Sequence, residues 1–404
     1  MRLCFVSPRY GEDVPGGAEQ LARMFAERTA ARGHSVTVAT TCARSHVDWA
    51  DASPPGRSEI AGVTVHRFPV ARPRDYAGFD ALNLRMATGI RRRPTFMQEE
   101  WMRAQGPWTP ALEAWLGLHA SGFDCVICVP YLYWTTRAVL RTVPGRSAVL
   151  MHPAIHDEAV LQMSIFDRMF RATDAFALST PEEVDLIRSR FGFTPRGAVV
   201  GIGIEAGRGD GARFRADRGL GDAPYLCYVG RVQAAKGAGE LVDFFVAYKE
   251  RHPGSDLRLV LVGEPLLPVP EREDIVVTGF VDDVARDDAV AGALALVMPS
   301  YYESFSIVLA DAFARGRPAL VQAACPALAG QARRSAAAIP YRGFAAFEVA
   351  VDELLGNPDL ADAMGAAGRE YVRREYDWEV VLDRYDALLA ATVRGEAPLA
   401  AGSA

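Results

Sequence analysis

Lysine is nearly absent from this 404-residue sequence. Only Lys236 and Lys249 occur, although lysine and arginine together number 44. Because arginine supplies almost all of the positive charge, a lysine that is present is a candidate for a role that needs a compact ammonium group. The 50 acidic residues give a net charge of -6, which argues against a general nucleic-acid-binding protein.

Long apolar runs are missing as well. No stretch reaches the roughly 18 apolar residues that span a bilayer. Residues 1–6 are too few for the apolar core of a signal peptide and run directly into a polar loop. We therefore expect a cytoplasmic protein whose contact with a membrane, if there is any, is peripheral.

Cysteine is scarce, with six scattered residues. Cys125 and Cys128 form a C-x-x-C pair, but they fall in an apolar run typical of a strand, where they would point to opposite faces. Neither a second pair nor a histidine cluster lies nearby, so buried thiols are the simpler interpretation and a metal or redox site is the alternative. Scattered cysteines also fit a reducing compartment.

Short apolar runs alternate with amphipathic helical segments over most of the chain, which indicates an α/β fold. A single core rarely exceeds about 250–300 residues, so two domains are expected. A segment rich in Gly, Asp and Arg at 205–222 separates them, and we place domains at 1–203 and 204–378, facing each other across a cleft. The predicted strands are 3–6, 35–40, 63–68, 125–129, 148–151 and 175–179, then 225–229, 257–262, 275–278, 295–298 and 319–321, with helices dominating afterwards.

Residues 71–117 break this pattern. They contain Arg91-Arg92-Arg93 and the tryptophans Trp101, Trp108 and Trp115. The simpler interpretation is an insertion of amphipathic helices with solvated arginines and packed tryptophans. The alternative is a surface that binds an acceptor substrate or an anionic membrane.

A glycine pair follows the first predicted strand. Gly16 and Gly17, after Pro15, open a helix predicted at 18–32. They let the backbone approach a ligand, and a helix N-terminus favours an anion. The loop is not a full G-x-G-x-x-G, so a plain turn is the alternative.

A second strand-to-helix loop carries Gly230, Arg231, Lys236 and Gly237. An arginine fork and an ammonium group on one loop can both reach a diphosphate and neutralise charge on a leaving group. Two solvated surface cations are the alternative, which the scarcity of lysine disfavours.

A third cluster follows the predicted strand 295–298. Glu303 lies in its loop and Asp311 in the helix after it. Carboxylates accept hydrogen bonds from vicinal hydroxyls, so one end of the segment can hold a sugar and the other a ribose, with a diphosphate between them. A solvated glutamate and an aspartate that balances the helix dipole are the alternative. The backbone amides suited to the phosphate belong to Ser304, Phe305, Ser306 and Ile307.

The segment 299–321, PSYYESFSIVLADAFARGRPALV, resembles the signature of glycosyltransferase family 4. That family consists of retaining enzymes with the GT-B fold, two Rossmann-like doubly wound domains. Its signature has a glutamate, seven residues and a second glutamate; here Asp311 replaces the second. The resemblance covers nearly the whole chain, least well at 71–117. It implies that Glu303 contacts the donor sugar, Asp311 the ribose, and Arg231 with Lys236 the diphosphate.

Other positions match the same family. Gly16 and Gly17 match its N-terminal glycine loop. Residues 376–378 resemble the segment after which a helix, here about 379–396, packs back on the first domain. In the segment HPAIHDE, His156 is the histidine expected to face the donor sugar, with His152 as the second choice. The strand ends that flank the donor base carry Gly263, Phe280 and Val281.

The resemblance implies a hexosyltransferase that uses a nucleotide sugar, retains the anomeric configuration and needs no cofactor or metal. The first domain would bind a carbohydrate, lipid-linked or small-molecule acceptor and the second the donor. A front-face substitution is favoured, because no carboxylate is clearly placed as a nucleophile. A GT-B nucleotide-sugar epimerase and a catalytically silent homologue that binds a partner are the alternatives.

Some polar motifs are assigned structural roles only. Thr180, Pro181 and Glu183 form a helix-start motif. The acidic pairs Asp282-Asp283 and Asp287-Asp288 could suggest a metal, but solvated or helix-start roles are the simpler interpretation.

Overall fold

The computed structural model describes residues 1–14, 16–87, 89–90, 93–205, 207 and 209–403. Pro15, Arg91 and Arg92, named above, lie outside these residues. The chain divides into two compact units, one of residues 1–201 with 382–404 and one of residues 202–381. The sequence analysis placed the boundary between residues 203 and 204.

The first unit is built on a sheet to which the described residues contribute eight strands. These are β1 (Arg2–Val6), β2 (Ser35–Thr41), β3 (Gly56–Ile60), β4 (Val63–Phe68), β5 (Cys125–Cys128), β6 (Ala148–Met151), β7 (Ala175–Leu178) and β8 (Gly197–Val199). Their order is β3-β4-β2-β1-β5-β6-β7-β8, and β3 with β4 is the antiparallel pair. Leu3 of β1 pairs with Val36 on one side and with Cys125 on the other, so the sheet grows in both directions from β1.

Helices cover this sheet and bury its apolar faces. They are α1 (Gly17–Ala31), α2 (Tyr76–Ala87), α3 (Thr95–Gln105), α4 (Pro110–His119), α5 (Trp134–Thr142), α6 (Ser164–Arg171) and α7 (Pro181–Phe191). Within residues 71–117, Trp101 is 2% exposed, and Trp108 and Trp115 pack against the same core. The interpretation of these tryptophans as packed residues is confirmed.

The second unit repeats the design with a parallel sheet. Its strands are β9 (Tyr225–Val229), β10 (Arg258–Val262), β11 (Ile275–Gly279), β12 (Ala295–Met298), β13 (Ala319–Gln322) and β14 (Ala338–Tyr341), in the order β11-β10-β9-β12-β13-β14. Here β9 is the strand from which the sheet grows in both directions. The helices are α8 (Gly211–Asp217), α9 (Ala238–Arg251), α10 (Asp283–Ala291), α11 (Ile307–Ala314), α12 (Pro326–Ser335), α13 (Phe344–Gly356) and α14 (Pro358–Glu375), followed by α15 (Trp378–Val393).

Three strands were not predicted, namely β3, β8 and β14. β3 is a mostly exposed edge strand of sequence GRSEI, so it lacks the apolar alternation that marks a half-buried strand. β8 is only three residues long. β14 contains Pro340, which an edge strand tolerates but which lowers strand propensity. Helices do dominate after residue 321, as expected, and β14 is the strand among them.

Asp288, in the second of the two acidic pairs, packs against residues of the segment 205–222. Asp288 is buried; its carboxylate accepts a hydrogen bond from Asp210 N at 2.6 Å and pairs with Arg213 at 2.6 Å. The assignment of Asp288 to solvent or to a helix start is therefore wrong. Asp282 caps α10 as predicted, since its side chain accepts a hydrogen bond from Ala285 N at 2.8 Å.

The small number of cysteines and the lack of long apolar runs can both be compared with the structure. All six cysteines are free and buried, which confirms the interpretation of Cys125 and Cys128 as buried thiols. Among the described helices, none has both the length and the apolar character that a membrane crossing requires. The cytoplasmic location stays a prediction.

Candidate functional site

Two neighbouring loops in the middle of the second sheet hold most of the predicted donor residues. One follows β9 and the other follows β12, the strand beside it. Ligands of such sheets bind beyond the carboxyl ends of the strands at the point where the sheet reverses its direction of growth. At that point Lys236 Nζ lies 2.7 Å from Glu303 Oε1. The structure thus brings together the residues assigned to the diphosphate and to the sugar.

The loop after β9 has a fixed backbone. The Tyr228 hydroxyl donates a hydrogen bond to Arg231 O at 2.8 Å. A short 3-10 turn, Ala234–Lys236, then leads into α9 through Gly237, whose φ is 72°. Arg231 is exposed, and the Lys236 side chain is 39% exposed. Both cations are therefore accessible from a rigid loop.

The loop after β12 is held through its carbonyl groups. Cys325 Sγ lies 3.8 Å from Glu303 O, and the Gln331 side-chain amide donates to Phe305 O. Phe305 is buried and packs edge-to-face on Tyr376 at 4.9 Å between ring centroids. These contacts hold the backbone that carries Glu303. Sequence reasoning missed Cys325 and Gln331, because neither belongs to a recognisable motif.

The start of α11 lies in the same loop. Ser306 is the N-cap residue with a φ of 70°, and its Oγ accepts a hydrogen bond from Leu309 N at 3.3 Å. A non-glycine residue in this left-handed region costs about 1–2 kcal/mol. Ser304 precedes it, and Ile307 is the first helical residue, so the start of α11 belongs to the same loop as Glu303. Binding of a phosphate by its amides stays a prediction.

Asp311 lies one turn further along α11 in a cluster of charges. Its carboxylate is 3.6 Å from the Arg315 guanidinium, which also pairs with Asp287 at 2.5 Å. Burial raises the pKa of Asp311 to about 6, while Arg315 and Arg286 oppose that rise. The Asp311 carboxylate, which was predicted to hold a ribose, thus also contacts the Arg315 guanidinium.

The strand ends assigned to the base lie side by side. Gly230 and Gly263 follow β9 and β10, and Gly263 N donates a hydrogen bond to Gly279 O at 3.0 Å. Phe280, directly after β11, is 86% exposed, and Val281 is partly buried. An aromatic ring this exposed at a strand end is suited to packing against a planar ligand.

In the first unit a buried ion pair lies under the glycine loop. Arg9 Nη2 is 2.6 Å from Glu19 Oε1, and the side chains are 4% and 6% exposed. A Cβ atom on Gly16 would come within 2.2 Å of Glu19 Oε2, so the pair supports the turn into Gly17 and α1. Sequence reasoning missed Arg9, although a charged residue just after a buried strand is a usable signal.

The predicted histidine lies in the loop after β6. The His156 side chain is 33% exposed, and its Nδ1 is 3.8 Å from Glu158 Oε1. Glu158 also accepts a hydrogen bond from the Tyr131 hydroxyl at 2.5 Å. The imidazole is therefore accessible and lies next to a carboxylate that is itself fixed.

The same loop is held by a residue that was assigned only to a helix start. Glu183 is buried, and its carboxylate accepts hydrogen bonds from Ile155 N at 2.7 Å and from Ser179 N at 2.6 Å. Burial raises its pKa to about 7. Because Ile155 directly precedes His156, Glu183 is a positioning residue for that histidine.

The second-choice histidine is a core residue. His152 is 1% exposed, and its Nε2 lies 3.0 Å from the Tyr385 hydroxyl. Its ring packs on Phe25 at 4.9 Å. Burial lowers the pKa of His152 to about 3, so the ring is neutral. The assignment of His152 to a ligand is therefore wrong.

Comparison with known proteins gives a family for the second unit. Residues 223–357 match the family described as Glycosyl transferases group 1. A glycogen synthase of Mycobacterium tuberculosis is 25% identical over an alignment of 414 residues, which covers 98% of this chain and 96% of that protein.

Solved structures show the fold. A sucrose-phosphate synthase from Thermosynechococcus elongatus matches with a TM-score of 0.71 and 20% identity, covering 96% of this chain and 99% of that one. The Anabaena protein HepE, solved in complex with UDP and glucose, matches with a TM-score of 0.70 and 13% identity, covering 97% and 100%. The predicted GT-B fold class, with two parallel-sheet α/β domains, is confirmed.

Proposed function

We propose that this chain, a glycosyltransferase whose residues 223–357 match the group 1 glycosyl transferases, transfers a hexose from a nucleoside diphosphate sugar to an acceptor hydroxyl group with retention of the anomeric configuration. The first unit binds the acceptor and the second the donor. The observation that carries the proposal is the 2.7 Å pair between Lys236 and Glu303 at the reversal point of the second sheet.

The leaving diphosphate is bound by groups of opposite charge. Arg231 and Lys236 supply two cations, and the first-turn amides of α11 around Ile307 supply hydrogen-bond donors. When a donor binds, Lys236 exchanges the Glu303 carboxylate for phosphate oxygens, and Glu303 accepts hydrogen bonds from sugar hydroxyls. No metal ion is required in this arrangement.

The nucleoside occupies the neighbouring strand ends. The base packs against Gly263, Phe280 and Val281, and the ribose hydroxyls bind Asp311. We propose UDP as the nucleotide, since UDP is present with glucose in the HepE complex. Asp311 is one methylene shorter than the glutamate of the family signature, and its carboxylate lies 3.6 Å from the Arg315 guanidinium.

The reaction is a front-face substitution. The bond between the anomeric carbon and the diphosphate oxygen breaks, and the acceptor oxygen forms a new bond to that carbon on the same face. The acceptor proton moves to the departing diphosphate oxygen. Arg231 and Lys236 stabilise the charge that develops there. Glu303 and His156 orient the sugar, with Glu183 holding the His156 loop.

Nuclear magnetic resonance of donor hydrolysis tests this function. UDP-glucose is incubated with the purified protein, and the anomer of glucose released first is recorded before it equilibrates. We expect the α anomer, and at least about a tenfold slower release by Glu303→Gln. Initial release of the β anomer would contradict retention. No release, with or without glycan acceptors, would favour a catalytically silent protein.

A further inference from the structure

A cavity in the first unit has a strongly basic lining. It encloses about 240 Å³ and lies between the segment 72–85, α3 and two tryptophans, Trp49 and Trp108. All of its lining residues belong to the first unit, and except for Trp49 they fall within residues 71–117, for which an acceptor-binding surface was the alternative interpretation. Four arginines line it against two carboxylates, those of Asp75 and Glu100. The arginines are Arg72, Arg74, Arg85 and Arg103.

Aromatic rings hold three of these guanidinium groups. Arg72 lies over Trp108 at 5.7 Å, Arg74 over Trp49 at 5.3 Å, and Arg103 over Trp134 at 5.7 Å. A guanidinium stacked on a ring keeps its N–H groups in its own plane, where they can bind an oxyanion. The stacking therefore organises the arginines without using up their hydrogen-bond donors.

The arginines differ in what else they contact. Arg74 is fixed, since its Nη1 donates to His46 O at 3.1 Å and its Nη2 to Gln105 O. Arg72, Arg85 and Arg103 are exposed and form no ion pair or hydrogen bond with the residues that the structure describes. One partly buried, fixed cation and three exposed ones therefore line a concave site that suits an anion.

The cavity adjoins the carboxyl ends of the central strands of the first sheet. Trp49 packs edge-to-face on Tyr133 at 5.3 Å, and Tyr133 lies in the loop after β5. Burial raises the pKa of Tyr133 to about 12, and the charges of Glu19, Arg9 and Arg74 also act on its hydroxyl. The cavity and the Arg9–Glu19 pair thus flank one tyrosine at the reversal point between β1 and β5.

We propose that this cavity binds an anionic substituent, a phosphate or a carboxylate, carried by the acceptor sugar. The inference rests on the proposed function, because it assigns the acceptor to the first unit. It predicts that the acceptor is charged, and that binding the charge places the acceptor hydroxyl near the carboxyl ends of β1 and β5. A neutral polysaccharide would leave four arginines around an unused cavity.

Direct binding of small probes tests the inference. Glucose 6-phosphate, glucuronate and glucose are titrated calorimetrically into the whole protein without a donor, at low ionic strength. The variants are Arg72→Gln and Arg103→Gln; the matched control is Arg57→Gln, which removes an exposed arginine from β3 of the same unit. Binding of UDP is measured in parallel for every protein.

We expect one or both anionic probes to bind wild type and the control, and glucose to bind far more weakly. Each cavity variant should weaken anion binding about tenfold, the loss of one charge-assisted hydrogen bond. The preferred probe shows whether the group is a phosphate or a carboxylate. Equal binding of glucose, anion binding unchanged in both cavity variants, or no anion binding up to about 10 mM would each overturn the inference. Failure of UDP to bind would instead contradict the proposed function.

Discussion

The substitution Gly237→Ala should damage the loop that carries Lys236. Gly237 has a φ of 72°, and a Cβ atom there would lie 2.3 Å from Pro299 O and 2.8 Å from Pro299 C. Pro299 begins the loop after β12, so the new methyl group would push apart the two loops that bring Lys236 and Glu303 together.

The magnitude has two parts. An alanine in the left-handed region costs about 1–2 kcal/mol, partly offset by about 0.4–1 kcal/mol of lost unfolded-state entropy. Relieving the contact with the Pro299 carbonyl adds about 1–3 kcal/mol, as in other overpacked positions.

Gly219→Ala is the matched control, because Gly219 has a φ of 62° in the same unit and a Cβ atom there would meet nothing within 4 Å. It isolates the backbone cost from the collision. The difference between the two variants should therefore be about 1–3 kcal/mol, or roughly 2–12 °C in the melting temperature of a unit of this size.

Differential scanning calorimetry with and without UDP measures both effects. Gly237→Ala should melt lower than Gly219→Ala and show a smaller stabilisation by UDP, whereas Gly219→Ala should keep the wild-type stabilisation. If both variants melt within about 1 °C of each other and respond equally to UDP, the loop contact has no role in donor binding.

Four further substitutions separate positioning, core and binding roles. The pKa of Glu183 is raised to about 7 from 4.5, so the folded state binds the extra proton between these values; wild type should lose about 3 kcal/mol of stability as the pH rises through that interval, and Glu183→Gln little of it, by urea unfolding. The pKa of His152 is lowered to about 3 from 6.5, so the unfolded chain binds the extra proton as the pH falls between these values. His152→Phe should abolish an acid-induced loss of about 5 kcal/mol in the free energy of unfolding, whereas His156→Ala should keep that loss and slow transfer. Asp311→Asn should weaken UDP binding about tenfold but leave the binding of 2′,3′-dideoxy-UDP unchanged in calorimetric titrations, and equal weakening of both would contradict a ribose contact.

The central strands of both sheets could be predicted because each is a short buried apolar run. β1, β5, β9 and β12 all carry that pattern, and parallel strands of this kind are buried on both faces. The edge strands β3 and β14 escaped, because an edge is half solvated and tolerates polar residues or proline.

The donor loops of the second unit could also be predicted, since Lys236 and Glu303 follow neighbouring strands and the chemistry of each residue type is specific. The contacts that hold those loops in place could not be predicted. Gln331 donates to Phe305 O from α12, a helix that begins twenty-one residues after Phe305. No local sequence pattern predicts such a contact.

The role of Glu183 shows the same limit. Its place at a helix start suggested a capping residue, yet its carboxylate binds Ile155 N, which is 28 residues away in the sequence. Only the adjacency of β6 and β7 in the sheet brings the two together. Sequence patterns predict local geometry, whereas contacts between loops can be identified only once the fold is known.

Stabilisation by nucleotides tests the central claim, that the second unit binds a nucleoside diphosphate through Lys236. UDP, GDP, dTDP and ADP are compared on wild type, Lys236→Ala and Lys249→Ala, each against its own melting temperature without ligand. Lys249 is the matched control because it is the other lysine, and its Nζ donates to Leu257 O at 3.1 Å. A ligand at about 100 times its dissociation constant adds about 2.7 kcal/mol. We predict that UDP stabilises wild type and Lys249→Ala but not Lys236→Ala; equal stabilisation of Lys236→Ala, or none of wild type by any nucleotide, would contradict the account.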